Sequence, residues 1–379
     1  MKNIHITLTD FRNESRVLKE IASLESFSIF ESYIVIALSS GDLPFEERIS
    51  SRSVVRRINL ISRILPKNGP FQVIKFFEFM LKCIFMVKKE QAQVINIHTI
   101  ALLPFAWLIK KIFKVKLVYD THELETEKNG LCGLRKRISK WTEAKFIGSC
   151  DLVIVVSELI ADWYADTYKI ERPLVVKNAP RLRHQDKKDL FREALPILPE
   201  QKILLYQGGL TKGRGIHLIL DAFKVREEND VVAVFMGYGD LACEVQQTAK
   251  NHSNVFYFPA VAPSIVLDYT ASADIGISLI ENTCLSYYYC LPNKLFEYAM
   301  AGLPVIVSDM KEMADTVQRA GFGMVLSEYS NKAINAAVDS LAFCDLGSFS
   351  CHAYQFAQAN AWERQEKVML EGYHRMLTR

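Results

Sequence analysis

The chain has 379 residues, 50% hydrophobic, 23% charged and 11% aromatic, with a formal net charge of +3. This balance excludes a disordered or fibrous chain, and so small a charge excludes a globally polybasic nucleic-acid binder. At roughly 100–200 residues per domain, the length accommodates two domains, each able to bury its own core.

The N-terminal run Met1–Asp10 is too short in its apolar part for a signal peptide and reads as a first strand. Further strands are expected at Tyr33–Leu38, Val94–Ile97, Lys116–Tyr119, Leu152–Val156 and Leu174–Val176, the first being Asn3–Leu8. The stretch between Glu90 and Lys110 has no formal charge, but its apolar part, Ile100–Ile109, is half of the ~20 residues a spanning helix needs. A strand, a turn and a buried helix explain it better.

Charge is uneven. Residues 52–116 carry 13 Lys and Arg against Glu78 and Glu90 alone, a segment charge of +11 inside a chain of +3. Within it, Phe71–Val87 is a strongly apolar helical segment flanked by bases. Two readings stand: a core helix with solvated basic ends, or a basic and apolar surface that meets a membrane.

A polar, basic break at Arg181–Lys188 serves as the linker, dividing residues 1–183 from 184–357. Beyond it the alternation resumes, with strands at Ile203–Gln207, Val231–Phe235, Val255–Phe258, Ile275–Leu279, Val305–Val307 and Met324–Leu326. Strands alternating with helical stretches require crossover connections and so predict parallel sheets. Two doubly wound α/β domains suit the length better than one sheet of about twelve strands. Gln358–Leu377 reads as one long terminal helix carrying Trp362, Met369 and Tyr373.

Eight cysteines are scattered without a CxxC pair, which fits reduced thiols in a cytoplasmic protein and offers no zinc-ligand spacing. No two aspartates are separated by a single residue, so no DxD metal motif exists.

Two segments carry chemistry. Gly208-Gly209-Leu210-Thr211-Lys212-Gly213-Arg214-Gly215 follows a strand and opens a helix, where backbone amides and the helix dipole favour an anion. It is neither a Walker A loop nor a dinucleotide fingerprint; it is a glycine loop with one arginine suited to a diphosphate. In Leu291-Pro292-Asn293-Lys294-Leu295-Phe296-Glu297-Tyr298, Pro292 suits the first helical position, the amides of Asn293 and Lys294 would face a phosphate, and Pro292 and Leu295 count among the donor-side residues. Glu297 lies a turn further on, able to accept hydrogen bonds from vicinal hydroxyls.

Taken in order, Tyr119-Asp120-Thr121-His122-Glu123, Val155-Val156-Ser157-Glu158, Lys177-Asn178-Ala179-Pro180, the glycine loop, Met236-Gly237-Tyr238-Gly239-Asp240, Ala273-Asp274-Ile275-Gly276 and the block from Leu291 to Ile306 resemble the family 4 glycosyltransferases. That resemblance implies the GT-B architecture, two Rossmann-like domains facing across a cleft, with the terminal helix 358–379 returning to the first. It implies a nucleotide-sugar donor held by the second domain and an acceptor held by the first.

Glu297 matches the ribose-binding second glutamate of the family's E-x7-E motif, and Arg214 its diphosphate-binding lysine. Tyr289 stands where the first glutamate would be, and Gly209 where the more common pattern has arginine. The resemblance places His122 near the transferred sugar and Asp10 and Arg12 in the acceptor-side loop; His98 and Glu123 are further acceptor-side residues, and Gly208, Gly209 and Gly237 line the donor.

The implied reaction is retaining and metal-independent, with Arg214, Lys294 and backbone amides stabilising the leaving diphosphate. No cofactor is implied beyond the nucleotide-sugar co-substrate. A glycan or lipid-linked acceptor, surface polysaccharide or glycolipid assembly, and a location at the inner face of the cytoplasmic membrane follow from family habit and the basic segment. A nucleotide-sugar epimerase of the same architecture and a catalytically inactive binding subunit are the alternatives.

Overall fold

The computed structural model describes residues 1–12, 14–66 and 68–379. Lys67, one of the bases counted in the 52–116 segment, lies outside the described residues. The chain divides into two units, Met1–Val176 with Glu366–Arg379, and Lys177–Gln365. The division falls ahead of the polar stretch 181–188 because that stretch is tied into the second unit: Arg183 and Gln185 bond the Asp268 carboxylate at 3.1 and 2.8 Å.

The first unit contains β1 (Lys2–Ile6), β2 (Ser32–Leu38), β3 (Glu46–Arg48), β4 (Ser53–Ile58), β5 (Val94–Ile97), β6 (Lys116–Asp120), β7 (Leu152–Val155) and β8 (Leu174–Val175). They form one sheet in the order β3-β4-β2-β1-β5-β6-β7-β8, parallel except for the β3–β4 pair. Strands β3 and β4 are not among those expected from the sequence. Their residues lack the apolar run of a central strand: β3 is fully exposed, and β4 carries Arg56 and Arg57. Arg57 is nonetheless buried, its guanidinium satisfied by the carbonyls of Asp10 and Pro44 and by the Glu47 carboxylate.

The second unit contains β9 (Lys202–Gly209), β10 (Val231–Tyr238), β11 (Val255–Pro259), β12 (Ile275–Ser278), β13 (Val305–Ser308) and β14 (Gly323–Leu326), all parallel, in the order β11-β10-β9-β12-β13-β14. Alternate residues of β9 enter opposite cores: Ile203 and Leu205 on one face, Leu204 and Tyr206 on the other. Burial on both faces is why these strands read as unbroken apolar runs. In both sheets the strand order reverses beside one strand, between β1 and β5 and between β9 and β12. Open α/β sheets bind ligands outside the carboxyl ends of strands at such points.

The uncharged stretch after Glu90 forms β5, a single 3-10 turn at Ile100–Leu102 and the helix Leu103–Phe113. No helix among the described residues is long and apolar enough to cross a membrane. The expected single helix over Gln358–Leu377 is two, Gly347–Asn360 and Trp362–Thr378, broken at Ala361, whose ψ of 157° leaves the helical region. Burial drives the break. Trp362 is fully enclosed, and its amide donates to the Pro180 carbonyl at 2.9 Å rather than within a helix. The final residues join the first unit, where Ser23 donates to the Glu366 carboxylate at 2.6 Å and Tyr373 to Asn96 at 2.6 Å.

Candidate active site

In the second unit, the chain leaves β9 through Gly208, at φ +116°, and enters the helix Ile216–Lys224 through Gly215, at φ +73°. Only glycine fits this path. A Cβ on Gly215 would lie 2.0 Å from the Leu279 carbonyl oxygen, and one on Gly237 would lie 1.9 Å from that of Gly208. Gly237, the partner of Gly208 in the β9–β10 register, therefore lets β10 run close beside the start of the loop. Glu281 closes the turn, its amide donating to Gly213 at 3.1 Å and its carboxylate accepting from the Gly215 amide at 3.3 Å.

Two cations converge there. The Arg214 guanidinium lies over the Tyr287 ring at 4.7 Å, and the Lys294 ammonium over the Tyr206 ring at 3.6 Å. Lys294 is 9% exposed, and its tip reaches the Gly208 backbone, where a Cβ would meet Nζ at 3.8 Å. Neither cation forms an ion pair among the described residues. Burial, then the neighbouring Arg214 charge, push the Lys294 ammonium well below the usual lysine range, with Glu297 opposing. An anion placed here would restore the charged form.

Glu297 is half-buried and accepts a hydrogen bond from Gln207 Nε2; the other end of that amide accepts from Thr270 Oγ1 at 2.8 Å. Pro292 is the residue before the helix rather than its first position, since the helix runs Asn293–Met300. Leu295 sits in the core with its amide already donating to the Pro292 carbonyl at 3.0 Å, so the amides of Asn293 and Lys294 are those left at the helix start. Tyr289 follows the short helix Leu285–Tyr288, its ring 5.5 Å from that of Tyr288. Residues Asn282, Thr283, Cys284, Leu285 and Tyr288 line an open cavity of about 380 Å³ in this region.

In the first unit, β5 and β6 deliver His98 and Asp120 to the carboxyl end of the sheet. Asp120 is buried under a two-pronged contact from Arg16, at 3.1 and 2.8 Å, and takes His122 Nε2 at 3.1 Å. His98 Nδ1 stands 3.3 Å from the same Asp120 oxygen, and its Nε2 is 3.0 Å from His5 Nδ1. Burial would raise the Asp120 carboxyl, but Arg16 and then His122 hold it well below the usual range. Burial lowers both His5 and His98, so this pair is neutral at pH 7.

The donor atoms of His98, Asp120 and His122 lie within 4.8 Å of one another, as do those of His5, Glu20 and His98. Arg16 already occupies both oxygens of Asp120 and bonds Glu20 at 2.9 Å, so a fixed positive charge opposes a cation at either position.

Asp10 and Arg12 form an ion-paired loop after β1, with Arg12 at 2.6 Å from Asp42 and 3.3 Å from Asp10. The Glu123 side chain is exposed, while its carbonyl accepts from Thr121 Oγ1. Sequence reading assigns no site role to Arg16, His5, Asp120, Tyr206, Gln207, Tyr287 or Glu281. Asp120 ends a buried strand as a charged residue, the one signal that could single it out.

Residues 31–179 match the family model Glycosyltransferase Family 4, and residues 187–345 match Glycosyl transferases group 1. No curated protein sequence matches the chain. Among solved structures, sucrose-phosphate synthase from Thermosynechococcus elongatus superposes with a TM-score of 0.81 at 15% identity, covering 100% of this chain and 99% of its own. The Anabaena protein HepE in complex with UDP and glucose gives 0.74 at 13% identity, covering 98% of each chain. WaaG, a glycosyltransferase involved in lipopolysaccharide biosynthesis, gives 0.68 at 14% identity over 96% of this chain and 97% of its own. With both family models matched in order along two parallel α/β units, the chain belongs to the family 4 glycosyltransferases of GT-B fold.

Proposed function

We propose that this glycosyltransferase moves a sugar, with retention and without a metal ion, from a nucleoside-diphosphate sugar to a hydroxyl of a glycan or lipid-linked acceptor. The observation that carries the donor assignment is the pairing of two cations, Arg214 and Lys294, neither of them in an ion pair, with the half-buried Glu297 beside the glycine loop of β9. The cations and the amides of Gly208, Gly209, Asn293 and Lys294 take the diphosphate, and Glu297 takes the ribose hydroxyls. The similar Anabaena structures hold UDP, glucose and UDP-glucose, which makes a UDP-sugar the first donor to test.

In the reaction, the bond from the anomeric carbon to the diphosphate oxygen breaks. The acceptor oxygen bonds to that carbon on the same face, and its proton passes to the departing phosphate oxygen. Stabilising the developing phosphate charge is the main catalytic demand, met by Arg214 and Lys294. Residues 1–183 hold the acceptor, with His122 oriented by Asp120 near the transferred sugar and His98, Glu123, Asp10 and Arg12 on the acceptor side. Residues 184–357 hold the donor. Assembly of a surface polysaccharide or glycolipid on the cytoplasmic side of a membrane suits such an acceptor.

The test is incubation of the purified protein with UDP-, GDP- and dTDP-sugars. Release of free sugar and nucleoside diphosphate supports the transferase, whereas an altered sugar still joined to its nucleotide indicates an epimerase. Absence of calorimetric binding by every nucleotide-sugar would sink both and leave the inactive binding subunit.

A further inference from the structure

Apart from a polar stripe of Gln72, Lys75, Glu78, Lys82 and Lys89, the helix Gly69–Glu90 is apolar, yet the protein covers only part of its apolar surface. Phe79, Met80, Cys83 and Val87 are buried. On the other side Val73, Phe77, Leu81 and Phe85, spaced four apart, are 54%, 62%, 66% and 67% exposed. The helices Leu103–Phe113 and Gly133–Phe146 pack beside it in succession and repeat the feature. Ile112 is exposed on the first, and Leu134, Ile138 and Trp141 on the second.

Bases accompany these side chains. Lys88, Lys89, Lys111, Lys114, Arg135 and Arg137 are all exposed, and none pairs with a carboxylate among the described residues. The acids of the first helix do not neutralise them, since Glu78 is held by Lys82 at 2.7 Å and Glu90 by Arg56 at 2.6 Å. A second copy of the chain is a poor occupant, because a two-fold interface would bring this cationic surface against itself. An anionic bilayer is complementary in both respects, accepting the apolar side chains at its acyl boundary and the cations at its headgroups.

We propose that this three-helix face of the first unit docks the protein on an anionic membrane surface. The inference stands apart from the transferase reading, since it uses no residue of the donor or acceptor sites.

Flotation with phosphatidylcholine vesicles and with vesicles containing phosphatidylglycerol tests it. The wild type should float with the anionic vesicles only, and less in high salt. The triple variant Phe77→Ser, Leu81→Ser, Phe85→Ser should stay in solution. The variant Lys88→Glu, Lys89→Glu, Lys111→Glu should partition about a hundredfold more weakly. Both variants should keep the wild-type thermal shift with UDP, which separates loss of docking from loss of fold or of the donor site. Flotation of either variant like wild type overturns the proposal. So does failure of the wild type to float, or a wild-type dimer that the serine variant converts to monomer.

Discussion

The Lys294 ammonium lies 3.6 Å from the centroid of the Tyr206 ring, buried, with Arg214 as its strongest charged influence. The ring face favours the cation, but burial and Arg214 depress its proton affinity well below the usual range. The folded chain thus sheds a proton that the unfolded chain keeps, and this group's contribution to stability rises with pH toward the ordinary value of 10.5. A diphosphate reverses the balance. UDP binding should therefore take up protons above neutral pH, seen as calorimetric enthalpies that differ between Tris and phosphate buffers. Lys294→Met should abolish that difference and weaken binding by about 10–100-fold. Identical proton uptake in the variant would assign it elsewhere.

Glu297 is presented toward Gln207, whose amide is fixed from behind by Thr270 at 2.8 Å. Removing the carboxylate should cost about 1.5–3 kcal/mol of donor binding, the range for hydrogen bonds to a charged group. Glu297→Ala should show it in calorimetry with UDP, and Glu297→Gln, which keeps one acceptor for Gln207, should lose less. Unchanged affinity in Glu297→Ala removes this residue from the ribose site.

The glycine loop makes unequal demands. Gly215→Ala combines a positive φ of 73° with a Cβ 2.0 Å from the Leu279 carbonyl oxygen, so the backbone must move. It should destabilise by at least about 2 kcal/mol and impair UDP binding. At Gly209 the nearest atom to an added Cβ is Thr211 Oγ1 at 4.0 Å, and Gly209→Ala should stay within about 0.5 kcal/mol of wild type in urea unfolding. Equal losses at both positions would contradict the close approach described for Gly215.

Glu143 accepts hydrogen bonds from Tyr119, Tyr164 and Tyr168, each at 2.8 Å, in the first unit's interior. Burial raises its carboxyl from 4.5 to about 7 against those three bonds. The folded chain then holds a proton that the unfolded chain releases. The contribution is full below about 4.5 and lost as pH rises through about 7, some 3 kcal/mol in all. Glu143→Gln should flatten the dependence of Tm on pH across that window; a parallel curve would show that Glu143 does not titrate there.

Asp120 behaves oppositely. Its carboxyl is depressed, so its contribution is present above 3.8 and lost as pH falls through the lower folded value. Asp120→Asn leaves the buried Arg16 without its main counter-charge and should cost about 3–5 kcal/mol in chemical unfolding. A loss below about 1 kcal/mol would mean that Glu20 suffices for Arg16.

The expected strands of both halves are present because parallel strands buried on both faces are written as local apolar runs, as in Ile203–Gln207. The edge strand β3 and its neighbour β4 lack that run, the first because it is fully exposed and the second because Arg56 and Arg57 stand in its centre. The glycine loop stands out by its spacing, and the family resemblance adds roles for Arg214 and Glu297; the structure brings Lys294 and Glu297 to the end of β9, beside Tyr206 and Gln207. Tyr206 and Gln207 were not legible, because a tyrosine and a glutamine closing an apolar strand look like more strand. Arg16 and Asp120 are 104 positions apart, and nothing local couples them.

Through its local pattern the sequence determined two parallel α/β units, a glycine-rich turn after β9, and a +11 segment hidden inside a total of +3. These depend on near neighbours along the chain, where periodicity and backbone sterics act. The tertiary structure alone decided what that segment does with its apolar helix. Burial is set by what packs from elsewhere in the chain, and here it covers Phe79, Met80 and Cys83 while leaving Phe77, Leu81 and Phe85 to solvent. The same long-range packing, through desolvation and imposed charges, sets the protonation of Lys294, Glu143 and Asp120.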